Sequence, residues 1–142
     1  MKRVTGIGGI FFKSDDPDEL KSWYQKHLDI QPDADGYIQF DWREKDDPEQ
    51  TGLTVFGPFS KDTKYFDPSQ KPYMFNFRVD DLDALLEALR AEGVEVEDKI
   101  EDGDFGKFGW IMDPEGRKIE LWQPPESKQP FTDAAQTDET EE

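Results

Sequence analysis

Hydrophobic and polar positions along the chain change period several times, and the changes mark its elements. The apolar run Ile7 to Phe12 reads as a strand. It is followed by Asp15-Asp16 and then by apolar residues at helical spacing: Leu20, Trp23, Tyr24 and Leu28. Asp16 is placed as the N-cap, Pro17 at N1 and Glu19 at N3, a capping-box arrangement. Three strand-like segments follow, near residues 28–31, 37–42 and 52–56. The same order then recurs. Residues 73–79 read as a strand, Asp80-Asp81 as a helix start, and Leu82, Leu85, Leu86 and Leu89 as a helix face, with Gly93 as its C′ residue. Strands are expected at 94–97, 108–112 and 118–122. The chain is thus a weak internal repeat, βαβββ twice, with modules at about 4–58 and 72–123. Residues 57–71 are a Pro- and Asp-containing connector, and 124–142 a polar tail with six acids and one Lys.

The last two strands flank Asp113-Pro114-Glu115-Gly116, with Pro at the second and Gly at the fourth position of a type I turn. Beyond it Lys118, Glu120 and Trp122 alternate with Ile119 and Leu121. A carboxylate in mid-strand is uncommon unless it is solvated or used, so Glu120 is the first candidate functional residue.

Composition narrows the field. The 142 residues suit one domain with a sizeable core. The absence of Cys removes disulfides, thiolate metal sites and thiol nucleophiles. A net charge of −17, from 34 acids and 17 bases, disfavours nucleic acid and anionic membranes. It also suggests attraction of a cationic small molecule. No run approaches a membrane span and the N-terminus lacks a signal-peptide pattern, so a cytoplasmic protein is expected.

The repeat resembles the vicinal oxygen chelate superfamily, which includes glyoxalase I, bleomycin-resistance proteins and extradiol dioxygenases. The resemblance is carried by Asp113-Pro114-Glu115-Gly116…Ile119-Glu120-Leu121, with Arg78-Val79-Asp80-Asp81-Leu82-Asp83 and Trp23-Tyr24…Leu28 in support. It implies an α+β fold in residues 1–123, a glyoxalase-like domain: two βαβββ modules form curled mixed sheets around a concave cup, with helices on the outer face. It also implies a homodimer. In metal enzymes of the family, the first and last strand of each copy supply one ligand each. Counting back seven from Asp16 and Asp81 gives Gly9 and Met74, 65 residues apart. Aligning Gly52-Leu53-Thr54-Val55 with Lys118-Ile119-Glu120-Leu121 gives Thr54 and Glu120. Of Gly9, Thr54, Met74 and Glu120, only the last is a good ligand for the family's divalent ions. No cofactor is therefore expected, and a metal would need an atypical site using residues such as Asp41 or Glu44. The single histidine, His27, reads as a helix-surface residue.

Strand alternation fills in the cup. With Gly9, Met74 and Glu120 stand Ile7, Phe11, Asn76, Lys118 and Trp122, and with Thr54 stands Phe56. Trp110 and Phe108 share a parity, as do Trp42 and Phe40, and extend the wall. Ile10, Phe12, Phe75, Phe77, Ile119 and Leu121 are left to pack under the helices. The ligand-binding set is Phe11, Trp42, Thr54, Phe56, Met74, Asn76, Trp110 and Trp122, with Glu120 as the candidate catalytic base. Arg78, Arg117 and Lys118 are its candidate partners, and Asn76 a candidate oxyanion donor.

Three functions fit. The preferred one is metal-independent binding of an aromatic or cationic small molecule. The second is a lyase, isomerase or dioxygenase of the same superfamily using Glu120. The third is an interaction module without a ligand. Gly6-x-Gly8-Gly9 opens no helix and is not a dinucleotide fingerprint. Gly103-Asp104-Phe105-Gly106 reads as a loop and Asp46-Asp47-Pro48-Glu49 as a solvated turn.

Overall fold

A computed structural model describes residues 2–125 of the chain. The expected tail, apart from Pro124 and Pro125, lies outside the described residues. The elements are β1 (Val4–Ser14), α1 (Pro17–Leu28), β2 (Ile38–Arg43), β3 (Thr51–Ser60), β4 (Tyr73–Val79), α2 (Leu82–Ala91), β5 (Glu95–Val96), β6 (Glu101–Gly103), β7 (Gly106–Met112) and β8 (Lys118–Gln123). The strands form one curled, unclosed mixed sheet in the order β2-β3-β1-β4-β8-β7-β5, with β6 paired to β7. The α+β class and the outer helices agree with the reading of the sequence.

The two halves meet along β1 and β4, which run antiparallel, and each of these strands pairs in parallel with the last strand of its own half. The 65-residue offset survives in the register: Gly9 faces Asn76 while Met74 faces Phe11.

Local signals formed the elements they predicted. Asp16 accepts the Glu19 N–H at 3.1 Å and Asp81 the Ala84 N–H at 3.1 Å, so both helices start on a capped turn. Gly93 follows α2 at φ +86°, where a side chain would be strained. The Asp113 carbonyl accepts the Gly116 N–H, closing the turn between β7 and β8. The main core lies under α2, where Leu82, Leu85 and Leu86 bury against Val79, Ile119 and Leu121. Each such leucine is worth about 1.5–3 kcal/mol.

Several expectations are corrected. No strand forms at 28–31: α1 runs to Leu28, and Asp29 takes a left-handed cap whose N–H returns to the Tyr24 carbonyl. The first half is therefore βαββ. The second half gains β6, because Gly103–Gly106 is the tip of a hairpin with β7 rather than a free loop. Nor is the outer face fully covered: α1 buries no residue, Trp23 and Leu28 are exposed, and so is Phe75 on β4. His27 is exposed on α1 with its ring against Trp23.

The connector is shorter than its composition suggested, since β3 continues to Ser60. It is also structural. Phe66 is completely buried, in a cluster with Met74 and Trp110 flanked by Phe11, Phe59, Tyr65 and Phe108. Phe66→Ala is expected to cost about 3–5 kcal/mol of unfolding free energy by urea titration, as for other buried aromatic truncations. A loss below about 1 kcal/mol would mean that the connector is a passive link.

Candidate functional site

The site is built where β4, β7 and β8 lie side by side. Asn76 pairs with Glu120 across β4 and β8, and Trp110 pairs with Glu120 across β7 and β8. Facing residues of neighbouring strands share a side of the sheet, so this register sets an amide and an indole on either side of the carboxylate. Glu120 is 2% exposed. Its Oε1 accepts Asn76 Nδ2 at 2.6 Å, and its Oε2 accepts Trp110 Nε1 at 3.0 Å and the hydroxyl of Tyr65. Lys118 is held nearby: its Nζ donates to the Tyr65 carbonyl at 2.9 Å, lies 3.4 Å from Glu97, and sits over the rings of Tyr65 and Trp110.

Burial pushes the Glu120 carboxyl above the ordinary carboxylate range, against the opposing pull of Tyr65, Asn76, Trp110 and the Lys118 ammonium. Burial and the neighbouring Glu120 charge push the Tyr65 phenol up, so it stays a proton donor. The partners expected from sequence are corrected. Arg78 and Arg117 do not bond Glu120: Arg117 binds Tyr73 and Asp113, and Arg78 stacks on Trp42 and Trp122. Three neutral donors do that work instead. Asn76 gives its amide N–H to Glu120 rather than to an incoming oxyanion, and its Oδ1 is buried without a partner among the described residues.

The concave face divides into two halves. The inner half holds Glu120, Asn76, Trp110, Met74 and Phe11, closed over by Tyr65 and Phe66 from the connector. The outer half holds Trp42, Arg78, Trp122 and Phe108. The Arg78 guanidinium lies 5.3 Å from the Trp42 ring and 5.2 Å from the Trp122 ring, and Trp122 stacks parallel on Phe108 at 6.0 Å. Trp42 is fixed by a bond from its Nε1 to Thr54 Oγ1 at 2.9 Å. Its ring crosses Gly6 and Gly52 so closely that a Cβ at either would collide with it. The glycines of Gly6-x-Gly8-Gly9 thus make room for side chains, Gly8 beneath Asn76 and Trp122. Beside Phe108 a shallow concavity of about 450 Å³ opens, lined also by Glu101–Phe105. None of its lining residues bonds Glu120.

Two parity assignments fail, each for a structural reason. Register shifts by one residue in β1 between Ile7 and Gly9, so Ile7 pairs with Phe77 and leaves the concave face. In β3, Gly9 faces Val55 and Phe11 faces Gly57, while Asn76 faces Glu120. Under the 65-residue offset Phe11 corresponds to Asn76, so the counterpart of Glu120 is Gly57, three residues beyond Thr54. Phe56 correspondingly packs under α1, its ring 5.5 Å from Tyr24 and 5.1 Å from Phe12. Phe40, expected beside Trp42, is 48% exposed. Tyr65 and Phe66 were missed. Their only signal was two adjacent aromatics inside a polar connector.

The residues at the family's four ligand positions do not fit a divalent metal. By the observed register these are Gly9, Gly57, Met74 and Glu120. Two lack side chains, Met74 is packed in an aromatic cluster, and both Glu120 oxygens are already bonded. Thr54, the sequence-based choice, spends its hydroxyl on Trp42 and the Ile7 carbonyl. Among the described residues no three His, Cys, Asp or Glu side chains gather as a metal would need, Asp41 and Glu44 included.

Glu120 also carries a pH signature. An unfolded Glu titrates at about 4.3, and the folded value is higher. Between the two the native state binds the extra proton, so Glu120's contribution to stability falls as pH rises through that window. Glu120→Gln should therefore gain stability relative to wild type between acid and neutral pH, read as paired urea unfolding curves. Parallel pH dependences in the two proteins would contradict the raised carboxyl. Tyr65→Phe should cost about 1–3 kcal/mol by stripping a donor from a buried acceptor, again measured by urea unfolding.

Comparison with known proteins agrees with this architecture. No curated protein sequence matches the chain. Among solved structures, a methylmalonyl-CoA epimerase in complex with methylmalonyl-CoA and NH4+ is 17% identical with a TM-score of 0.66, covering 89% of this chain and 99% of that one. The methylmalonyl-CoA epimerase from Mycobacterium tuberculosis is 22% identical with a TM-score of 0.57, covering 94% and 95%. A Legionella pneumophila chain described as an NAD-dependent benzaldehyde dehydrogenase is 16% identical with a TM-score of 0.55, covering 82% and 98%. At these identities the likeness is one of fold. The model of the glyoxalase-like domain matches residues 9–122, and the chain belongs to that family within the vicinal oxygen chelate superfamily.

Proposed function

We propose that residues 1–123 form a single glyoxalase-like domain that binds a small aromatic molecule in the outer half of its concave face, without a divalent metal. The observation that supports this reading is the aromatic group of Trp42, Trp122 and Phe108, in which Trp42 and Phe108 stay partly exposed around the buried Trp122 while the connector fills the inner half. Apolar concavities with few polar groups are the usual form of small-molecule sites. Of the two ligand classes the sequence suggested, the aromatic one is favoured. The carboxylate that was to attract a cation is buried and bonded by three donors. Binding residues are Trp42 and Phe108, with the buried Trp122 beside them. Phe11, Met74, Asn76 and Trp110 build the floor, and Thr54 orients Trp42. Phe56 takes no part.

Two other readings each have an observation behind them. The raised Glu120 carboxyl suits proton transfer in an isomerase, since a base poised nearer neutrality works best. The filled inner half suits an interaction module. Pairing of two copies belongs to the proposal as well. It is supported by the apolar side chains exposed on and near α1, Trp23, Leu28 and Tyr37, and a dimer mass in light scattering is expected.

The test uses protein dialysed against EDTA and titrated with indole and benzamide, followed by tryptophan fluorescence and ligand-observed NMR. Saturable binding that persists in EDTA and is lost in Trp42→Ala is expected. Absence of binding by either probe, or binding only after metal is restored, would overturn the proposal. Solvent deuterium entering a bound ligand in wild type but not in Glu120→Gln would instead favour the isomerase.

A further inference from the structure

Arginine is scarce in this chain, and its placement is informative. There are five arginines among 34 acidic residues. Arg3 pairs with Glu92 at 2.7 Å and Arg117 with Asp113 at 3.3 Å. Arg43 donates to the Pro48 carbonyl and Arg90 to the Glu97 carbonyl. Arg78 forms no ion pair among the described residues, and its Nε is buried without a hydrogen-bond partner among them. In so acidic a protein, a half-buried cation without a carboxylate needs another explanation.

Its surroundings supply one. The guanidinium lies over both the Trp42 and the Trp122 ring, at 5.3 and 5.2 Å. With its Nε buried, the terminal nitrogens of the guanidinium make no hydrogen bond among the described residues and are the donors left for a ligand. Both indoles are themselves fixed, Trp42 by Thr54 and Trp122 by a bond to the Phe105 carbonyl at 2.7 Å. The fork is therefore held ready before any ligand arrives. Burial lowers the Arg78 pKa, with Glu44 and Asp80 opposing from beyond ion-pair range, and an arginine so placed still carries its charge.

We propose that Arg78 is an anion-recognition residue. The ligand of the outer concave face carries a carboxylate or phosphate group that docks on the free edge of the guanidinium, while its apolar part lies against the partly exposed Trp42 and Phe108. Planar two-oxygen anions match that edge bidentately. The inference rests on the outer face being the ligand site and reverses the cationic preference drawn from net charge. A single guanidinium at the site outweighs the diffuse field of distant, solvent-screened acids.

Benzoate, phenyl phosphate, benzamide and benzyltrimethylammonium separate the possibilities when titrated against the full chain by tryptophan fluorescence. At least one anion should bind about tenfold or more tightly than benzamide, the scale of one charge-assisted contact. The preferred anion identifies the group as carboxylate or phosphate. Arg78→Met should remove the anion preference, read as the ratio of anion affinity to benzamide affinity in the same variant, with circular dichroism checking the fold. Arg78→Lys keeps the charge but not the fork, and should cut the preference several-fold. It serves equally if the methionine variant does not fold. Equal binding of benzoate, phenyl phosphate and benzamide, unchanged in Arg78→Lys, overturns the anion subsite and leaves the aromatic site standing. Preference for benzyltrimethylammonium overturns it in favour of a cation. Binding of no probe overturns both proposals.

Discussion

A carboxylate removed from water has to be bonded from every side, and the arrangement around Glu120 follows from that demand. Leaving a charged group buried and unpaired costs several kcal/mol or forces protonation. Here the cost is offset by Asn76 from β4, Trp110 from β7 and Tyr65 from the connector, with Lys118 alongside. Each donor comes from a different part of the chain. The same contacts that satisfy Glu120 therefore tie the second half of the sheet to the connector and bring Phe66 into the core. The inner half of the cup is consequently a folded interior, and the proposed ligand site is displaced to the outer half.

That displacement depends on small residues. Large aromatics can lie flat on a sheet only where the strand beneath lacks side chains. Gly6 and Gly52 provide that surface for Trp42, and Gly8 does so beneath Asn76 and Trp122. The irregularity in β1 between Ile7 and Gly9 serves the same end by turning Ile7 off the concave face. The glycine cluster, bare of phosphate-binding geometry, is better understood as the floor of an aromatic platform.

Members of the superfamily that use a metal need several donors converging on one point. This chain keeps one such donor and spends it on neutral hydrogen-bond partners. The counterpart positions carry two glycines and a methionine, and the space is taken by aromatic rings. A scaffold can retain its sheet and helices while its site changes chemical class, because the residues that build the fold and those that face the cup alternate along the same strands.

Amino-acid order alone determined what depends on neighbours a few residues apart. The capped helix starts at Asp16 and Asp81, the leucine face of α2, the Asp113–Gly116 turn and the repeat were all legible, and with them the α+β class. So was the placement of Glu120, Asn76 and Trp110 on one face, since period-2 alternation holds within regular strands; that they bond one another was not. Tertiary structure decided what depends on register and on distant segments. A one-residue irregularity in β1 and a three-residue slip in aligning β3 moved Ile7 and Phe56 out of the cup, and alternation cannot reveal either because it repeats identically on both sides of a shift. Tyr65 reaches Glu120 across 55 positions of sequence, and nothing in a polar connector specifies where it docks. The free arginine at position 78 became visible only once every nearby carboxylate had a place. Ion pairing is a property of distances in space, and the sequence lists only which charges exist.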